Sequence, residues 1–136
     1  MVETDLSNHQ SLARVLIVED EAMARRALAS LLNSSGYEAS SAKSAEEALR
    51  ILAADPQPDV ALVDFNLPGM TGMDLIELLR KSHPEMFLVM LSAQPNPLPD
   101  NHHWDAVPFL RKPFNFKQLL SLIRSQSPHG ESDFHA

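Results

Sequence analysis

The chain has no cysteine and no long apolar run among its 136 residues, and each absence excludes a class of protein. Without cysteine there is neither a disulfide framework nor a thiolate metal site, which favours a reducing compartment. No apolar run approaches the ~20 residues that a membrane-spanning helix needs. The opening MVETDLSNHQ is polar and acidic, unlike a secretion signal. We therefore expect a cytoplasmic protein that does not enter a membrane.

Glycines and clusters of basic residues are also scarce. The chain has four glycines, and no Gly-rich or Ser/Thr-rich loop follows the first apolar run, so it lacks the phosphate cradle of an FMN carrier. The net charge is −7, but four of the 18 acids lie in the two ends, outside the nearly neutral body that holds all 11 basic residues. A nucleic-acid-binding protein needs a concentrated basic surface. We therefore expect no nucleic-acid partner.

Short apolar runs alternate with helical patterns along the body. The strong strand candidates are VLIV (15–18), DVALV (59–63) and MFLVML (86–91), and the weaker ones are YEASSA (37–42) and VPFLR (107–111). Continuous apolar runs are typical of strands buried on both faces. Their alternation with helices predicts an α/β fold, a parallel sheet covered on both faces. The folded domain is predicted over residues 13–125, with tails at 1–12 and 126–136.

Four helical patterns separate or follow these strands. The first has an apolar stripe, with a glycine placed to end the helix: Met23, Ala27, Leu28, Leu31, Leu32 and then Gly36. The other three begin with pairs that are typical of capping boxes: Ser44 with Glu47, Thr71 with Asp74, and Asn115 with Gln118.

Polar side chains follow four of the predicted strands. Glu19 and Asp20 follow the first strand, Asp64 the third, Ser92 the fourth and Lys112 the fifth. In a parallel α/β sheet, ligands bind outside the carboxyl ends of the strands. Three carboxylates there would repel one another by about 4 kcal/mol per pair at ~4 Å and an effective dielectric of about 20, and a hard divalent cation relieves that repulsion. The sequence therefore predicts a magnesium site at this edge. Helix capping is the alternative role for such acids, and it suits Glu21 best.

Four motifs in a fixed order carry a resemblance to a known family. They are VLIVEDE (15–21), DVALVDFNLPGMTG (59–72), LSA (91–93) and FLRKPF (109–114). In this order and at these separations they resemble the receiver domain of two-component response regulators, over about residues 14–124. The resemblance implies a flavodoxin-like, doubly wound sheet of five parallel strands in the order 2-1-3-4-5, with helices on both faces.

The resemblance also implies a role for each polar residue at the sheet edge. Asp64 would be the phosphoacceptor and, with Ser92 and Lys112, would carry the chemistry. The Mg²⁺ ligands that it implies are Glu19, Asp20, Asp64 and the backbone carbonyl of Asn66, with Mn²⁺ as an alternative ion. No cofactor other than the metal is implied.

A switch and a docking surface follow from the same resemblance. Ser92 and Phe109 would form the switch that responds to the phosphoryl group. A histidine kinase or a histidine phosphotransfer protein would be the phosphoryl donor. The residues that would contact it are Met23, Arg25, Arg26 and Pro113, the last after a cis peptide bond.

The segment between the fourth and fifth strands departs from the family pattern. Where the family has its fourth helix, residues 94–106 contain Pro95, Pro97 and Pro99, which remove backbone donors and favour an extended path. We expect this helix to be shortened or replaced by a Pro-rich loop. Trp104 is expected to fill the resulting gap, and a metal site at His102 and the histidine beside it is disfavoured.

The resemblance therefore implies a response regulator, here expected to be a single-domain one, that accepts a phosphoryl group on Asp64 and signals by phosphorylation-dependent binding to a downstream protein. It would catalyse its own phosphorylation and dephosphorylation without turning over an external substrate. One alternative is a receiver-like binding module that acts without phosphorylation. Another is a haloacid dehalogenase-type phosphatase, which is disfavoured because Asn66 stands where those enzymes need an acid. A longer protein of which this chain is one segment is a further alternative.

Overall fold

The computed structural model describes residues 13–54, 57–95 and 107–126. The strands are β1 (Arg14–Val18), β2 (Glu38–Ala42), β3 (Val60–Asp64), β4 (Phe87–Ser92) and β5 (Phe109–Arg111). The helices are α1 (Ala22–Ser34), α2 (Ala45–Leu52), α3 (Gly72–Ser82) and α4 (Phe116–Gln126). All strand pairs are parallel and the order is β2-β1-β3-β4-β5. The expected fold and strand order are confirmed.

The central strands are buried on both faces, which is why their sequences are continuously apolar. In β1, Leu16 and Val18 pack into the layer formed with α2 and α3, whereas Val15 and Ile17 pack into the layer formed with α1 and α4. The alternation follows from the two-residue repeat of a strand. Each fully buried aliphatic side chain contributes about 1.5–3 kcal/mol relative to an exposed one. These two layers fix the positions of the strand ends.

The helix ends follow the capping residues of the sequence. Ser44 Oγ accepts a hydrogen bond from Glu47 N at 3.1 Å, and Thr71 Oγ1 accepts one from Asp74 N at 3.1 Å. At α4, Gln118 Oε1 accepts from Asn115 N at 3.2 Å. These bonds satisfy backbone donors that the first helical turn leaves without partners.

One face of α1 differs from the prediction. Met23 is 73% exposed and Leu31 is 46% exposed, whereas Leu32 is fully buried. The predicted stripe is therefore wrong at these two positions and at Ala27, which is also exposed, whereas Leu28 and Leu32 pack into the core as predicted. Arg25, a charged residue, takes a half-buried position on the same helix, where its guanidinium binds backbone carbonyls. Gly36 ends the helix as predicted, with φ +97°.

The predicted Pro-rich replacement of the helix between β4 and β5 concerns residues 94–106. Gln94 and Pro95 are described and are not helical, whereas 96–106 lie outside the described residues, as do His102, His103 and Trp104. In the part of the chain that the structure describes, no helix has both the length and the apolar character that a membrane span requires.

Candidate functional site

The carboxyl ends of β1 and β3 bring three acids together. Glu19 and Asp20 directly follow β1, and Asp64 is the last residue of β3. One carboxylate oxygen from each of the three lies within 4.8 Å of the others. Glu19 is 3% exposed and Asp64 is 5% exposed, while Asp20 is exposed and opens the group to solvent. The chain order reverses between β1 and β3, so the acids lie at the switch point where ligands bind in such sheets.

Lys112 joins this acidic group from the end of β5. Its Nζ lies 2.7 Å from Glu19 Oε1 and 3.2 Å from Asp64 Oδ2. Its backbone N–H donates to Ser92 O at 2.7 Å, which fixes the lysine to the end of β4. The peptide bond between Lys112 and Pro113 is cis, in agreement with the family resemblance. The site thus holds three carboxylates and one ammonium, which contacts two of them.

The pKa values reflect that imbalance. Burial raises the pKa of Asp64, and the charge of Glu19 raises it further, against the lowering effect of Lys112 and of the Asn66 N–H. Burial alone would lower the pKa of Lys112, but the hydrogen bond to Glu19 and the charges of Asp64 and Glu19 together raise it. Lys112 is therefore charged at neutral pH, and the site still holds more negative than positive charge. A second cation would relieve the remaining repulsion.

Backbone hydrogen bonds hold the acids in place. Asn66 N donates to Asp64 Oδ1 at 3.2 Å, and Glu21 N donates to Glu19 Oε2 at 3.0 Å. Phe65 N donates to a β4 carbonyl, that of Leu91, at 2.7 Å. Glu21 itself is the N-cap of α1, because its carboxylate accepts from Ala24 N at 3.0 Å. The alternative role of capping thus applies to Glu21 and not to Glu19 or Asp64.

Gly72, the first residue of α3, packs directly on the backbone of the central acid. A Cβ at this position would lie 2.2 Å from Asp64 O and 2.9 Å from Phe65 Cα. Only a residue without a side chain allows the helix to begin this close to the strand end. The sequence pattern NLPGMTG contains this glycine, but neither propensity nor spacing indicates that it touches Asp64.

Ser92 is the last residue of β4, and Phe109 is the first residue of the neighbouring strand β5. Ser92 is fully buried, and its Oγ accepts a hydrogen bond from Gln94 N at 3.0 Å. That bond uses a lone pair of the hydroxyl and leaves its hydrogen for another acceptor. Phe109 is half-buried and packs against the core layer shared with α2 and α3, beside Met90 of β4. Their role as a switch stays a prediction.

The residues predicted to dock a partner are not equivalent. Met23, Arg26 and Pro113 are exposed, whereas Arg25 is half-buried and bound to the loop after β1. The sequence reasoning missed this second role of Arg25. The signal that could have indicated this role is the presence of a charged residue, Arg25, at a helix position that is half-buried.

The residues present fit a hard divalent cation. Carboxylate oxygens are the ligands that Mg²⁺ prefers, and Mg²⁺ is usually bound through one or two protein carboxylates together with waters. Glu19, Asp20 and Asp64 supply three such groups within 4.8 Å, one of them exposed. Asn66, whose backbone carbonyl was predicted as a ligand, is exposed next to the group. The geometry brings the predicted ligands together, and their roles stay predictions.

Fold and site together define a doubly wound α/β protein with an acidic pocket at the reversal of its strand order. The family pattern described as the response regulator receiver domain matches residues 15–124. The chain belongs to the response regulator receiver family.

Similar proteins include whole regulators and isolated receivers. The two-component response regulator PhoP of Pseudomonas aeruginosa is 34% identical over an alignment 136 positions long, which covers 90% of this chain and 57% of PhoP. The chain spans less than two thirds of the length of the curated relatives that it matches. A CheY-like receiver domain from Methanospirillum hungatei superposes with a TM-score of 0.78 and 29% identity, covering 90% of this chain and 99% of that one.

The response regulator TrrA of Thermotoga maritima is a second structural relative. Its crystal structure in complex with Mg²⁺-BeF has a TM-score of 0.74 and 27% identity, covering 83% of this chain and 97% of TrrA. TrrA has also been crystallised in complex with the histidine kinase ThkA.

Proposed function

We propose that Asp64 accepts a phosphoryl group from a phosphohistidine on a kinase or phosphotransfer protein. The observation that carries this proposal is the meeting of Glu19, Asp20 and Asp64 within 4.8 Å, with the Lys112 ammonium 3.2 Å from the Asp64 carboxylate. A bound Mg²⁺ would supply positive charge to the phosphoryl oxygens, and Glu19, Asp20 and Asp64 would hold it. The structure of TrrA with Mg²⁺-BeF supports the choice of ion.

The phosphoryl transfer itself requires little covalent chemistry from the protein. One carboxylate oxygen of Asp64 forms a bond to phosphorus while the bond from phosphorus to the donor imidazole nitrogen breaks, and that nitrogen takes up a proton. Positioning and charge stabilisation account for most of the rate of such reactions. Here the Asn66 N–H donates to Asp64 Oδ1 and thereby orients the carboxylate. Burial of Asp64 excludes most of the water from around this carboxylate.

Lys112 and Ser92 then respond to the new charge. Before transfer, the Lys112 ammonium divides its bonds between Glu19 and Asp64. A phosphoryl group on Asp64 adds charge and acceptor oxygens, to which the ammonium and the Ser92 hydroxyl would donate. Movement of Ser92 would take Gln94 with it, because the Gln94 N–H is bound to Ser92 Oγ. The resulting change beside Phe109 would present a different surface to a downstream protein.

The donor protein is proposed to dock on the exposed side of α1. TrrA, a structural relative, forms a complex with a histidine kinase. Met23, which is 73% exposed in the first turn of α1, offers apolar area to a partner, and Arg26 and Pro113 are also exposed. The domain limits 13–125, the single-domain role and the cytoplasmic location stay predictions of the sequence.

Phosphorylation by acetyl phosphate tests the assignment of Asp64. With Mg²⁺, the wild-type protein is expected to gain one phosphoryl group by intact-mass spectrometry, and Asp64→Asn to gain none. Asp59→Asn is the matched control, because Asp59 precedes the same strand at its opposite end and keeps an acceptor for Arg14 N. EDTA is expected to suppress labelling of the wild type.

Two results would overturn the proposal. Labelling of Asp64→Asn at the wild-type level would place the phosphoryl group elsewhere. A wild-type protein that is neither labelled nor shifted by BeF₃⁻ in NMR spectra at Ser92 and Phe109 would be a binding module that acts without phosphorylation.

A further inference from the structure

The side chain of Arg25 contacts the main chain of the loop that carries Glu19 and Asp20, whereas Lys112 contacts carboxylates. Arg25 lies in the first turn of α1 and is half-buried. Its Nη1 donates hydrogen bonds to the backbone carbonyl oxygen of Glu19 at 3.0 Å and to that of Asp20 at 3.3 Å. A single guanidinium nitrogen therefore binds both acids of the β1–α1 loop through their main chain.

These two bonds constrain the direction of the carboxylates. A side chain points where its backbone directs it, and rotating either peptide unit would break one of the bonds to Arg25. The constraint matters most at Asp20, which is exposed and therefore is not held by a surrounding core. Hydrogen bonds from a charged donor are about twice as strong as neutral ones. Arg25 is thus suited to keep the Asp20 carboxylate directed towards Asp64.

We propose that Arg25 is a positioning residue of the metal site, which raises the affinity for Mg²⁺ by holding the Glu19 and Asp20 backbone. The inference rests on the proposed function in taking Mg²⁺ as the bound ion. It differs from a role in partner docking, since it operates in the isolated protein.

Two effects of Arg25 on cation binding have opposite signs. Its positive charge repels a nearby cation, so its removal would tighten Mg²⁺ binding if charge were all that mattered. Its bonds to the loop preorganise the ligands, so their removal would weaken binding. Groups that orient metal ligands typically change metal affinity by about 10- to 100-fold. The direction of the change on substitution therefore identifies the dominant effect.

The experiment is a titration of the full, metal-free chain with MgCl₂, followed by NMR shifts of the amides from Glu19 to Glu21. Arg25→Met is expected to raise the Kd about tenfold. Arg25→Lys keeps a cationic donor on a shorter stem and is expected to recover part of the affinity. Arg26→Met is the matched control, because it removes the same charge from an exposed position on the same helix. Thermal unfolding without metal accompanies each titration.

The proposal is overturned if Arg25→Met binds Mg²⁺ as tightly as Arg26→Met, or more tightly. If Arg25→Met does not fold without metal, the same criterion applies to Arg25→Lys against Arg26→Lys. A wild-type protein that does not bind Mg²⁺ would instead refute the metal site itself, and with it the proposed function. The two failures are therefore distinguished by the wild-type titration alone.

Discussion

Replacing Gly72 with alanine should destabilise the protein, although alanine is the better helix former. The added Cβ would lie 2.2 Å from Asp64 O and 3.0 Å from Asp64 C, both of which are backbone atoms. No side chain can rotate away to make room, and the Phe65 N–H bond to β4 resists movement of the strand end. The helix propensity gain is at most about 1 kcal/mol. Overpacking of this kind costs about 1–3 kcal/mol and occasionally more.

The added Cβ and Asp64 O must move apart by about 1 Å to reach an ordinary van der Waals separation, so we place the overpacking cost near 3 kcal/mol, the upper end of its usual range. Subtracting the gain in helix propensity of about 1 kcal/mol leaves an expected net loss of about 2 kcal/mol in the free energy of unfolding. For a domain of this size, that corresponds to a fall in Tm of roughly 8 °C. Thermal and urea unfolding in EDTA measure both quantities. The displaced Asp64 backbone should also weaken Mg²⁺ binding in an NMR titration.

Gly69→Ala is the informative comparison. Gly69 has φ +72°, and its added Cβ would lie 3.3 Å from Glu46 Oε2, the end of a flexible side chain. The expected loss is about 1 kcal/mol, from the left-handed backbone alone. A Gly72→Ala protein as stable as the wild type, or one less destabilised than Gly69→Ala, would refute the reasoning.

Three further predictions concern charge and hydrogen bonding. Because the pKa of Asp64 is raised, this group contributes stability that is present below its ordinary pKa of 3.8 and is lost as pH rises through the folded-state pKa. In EDTA, the Tm of the wild type minus that of Asp64→Asn should therefore fall as the pH rises above 3.8, and a constant difference would contradict the shift. Lys112→Met leaves the Glu19 and Asp64 carboxylates without their ammonium partner. Because the Lys112 side chain is 28% exposed, we expect a loss of about 2 kcal/mol in the free energy of unfolding, which is less than for a fully buried ion pair. Urea unfolding at pH 7 measures this loss, and an unchanged midpoint would contradict it. Asn33→Ala removes the acceptor of the Ala39 N–H on the edge strand β2, so that amide should exchange faster with D₂O, whereas equal protection would show that the bond does not form in solution.

The fold was predictable because the strand signal is strong where burial is greatest. The runs around Leu16, Leu62 and Val89 are apolar at every position because both faces of the sheet are covered. The convergence of Asp20 and Asp64 also follows from the sequence, since parallel strands present their carboxyl ends at one edge.

Other features depend on tertiary contacts that periodicity does not contain. The buried face of α1 was predicted only in part, since Arg25 is half-buried and binds two carbonyls of the preceding β1–α1 loop, a contact that apolar periodicity does not indicate. The contact of Gly72 with Asp64 could not be predicted, because it depends on how closely α3 approaches β3. The bridging of Glu19 and Asp64 by Lys112 required three strand ends to be placed to within about an ångström, beyond what motif spacing defines.

The last backbone hydrogen bonds of the sheet are made by the residues of the acidic pocket or by their direct neighbours in the chain. Glu19 N bonds to Ala42 O, Phe65 N to Leu91 O, and Lys112 N to Ser92 O, at 2.7–3.0 Å. These bonds join main-chain atoms only, so replacing the side chain of Glu19, Asp64 or Lys112 removes none of the atoms that form them. Such a replacement changes the chemistry of the pocket, while the main-chain atoms of the backbone hydrogen bonds next to it are kept. A set of variants at this pocket can accordingly be compared as changes of reactivity on one common scaffold.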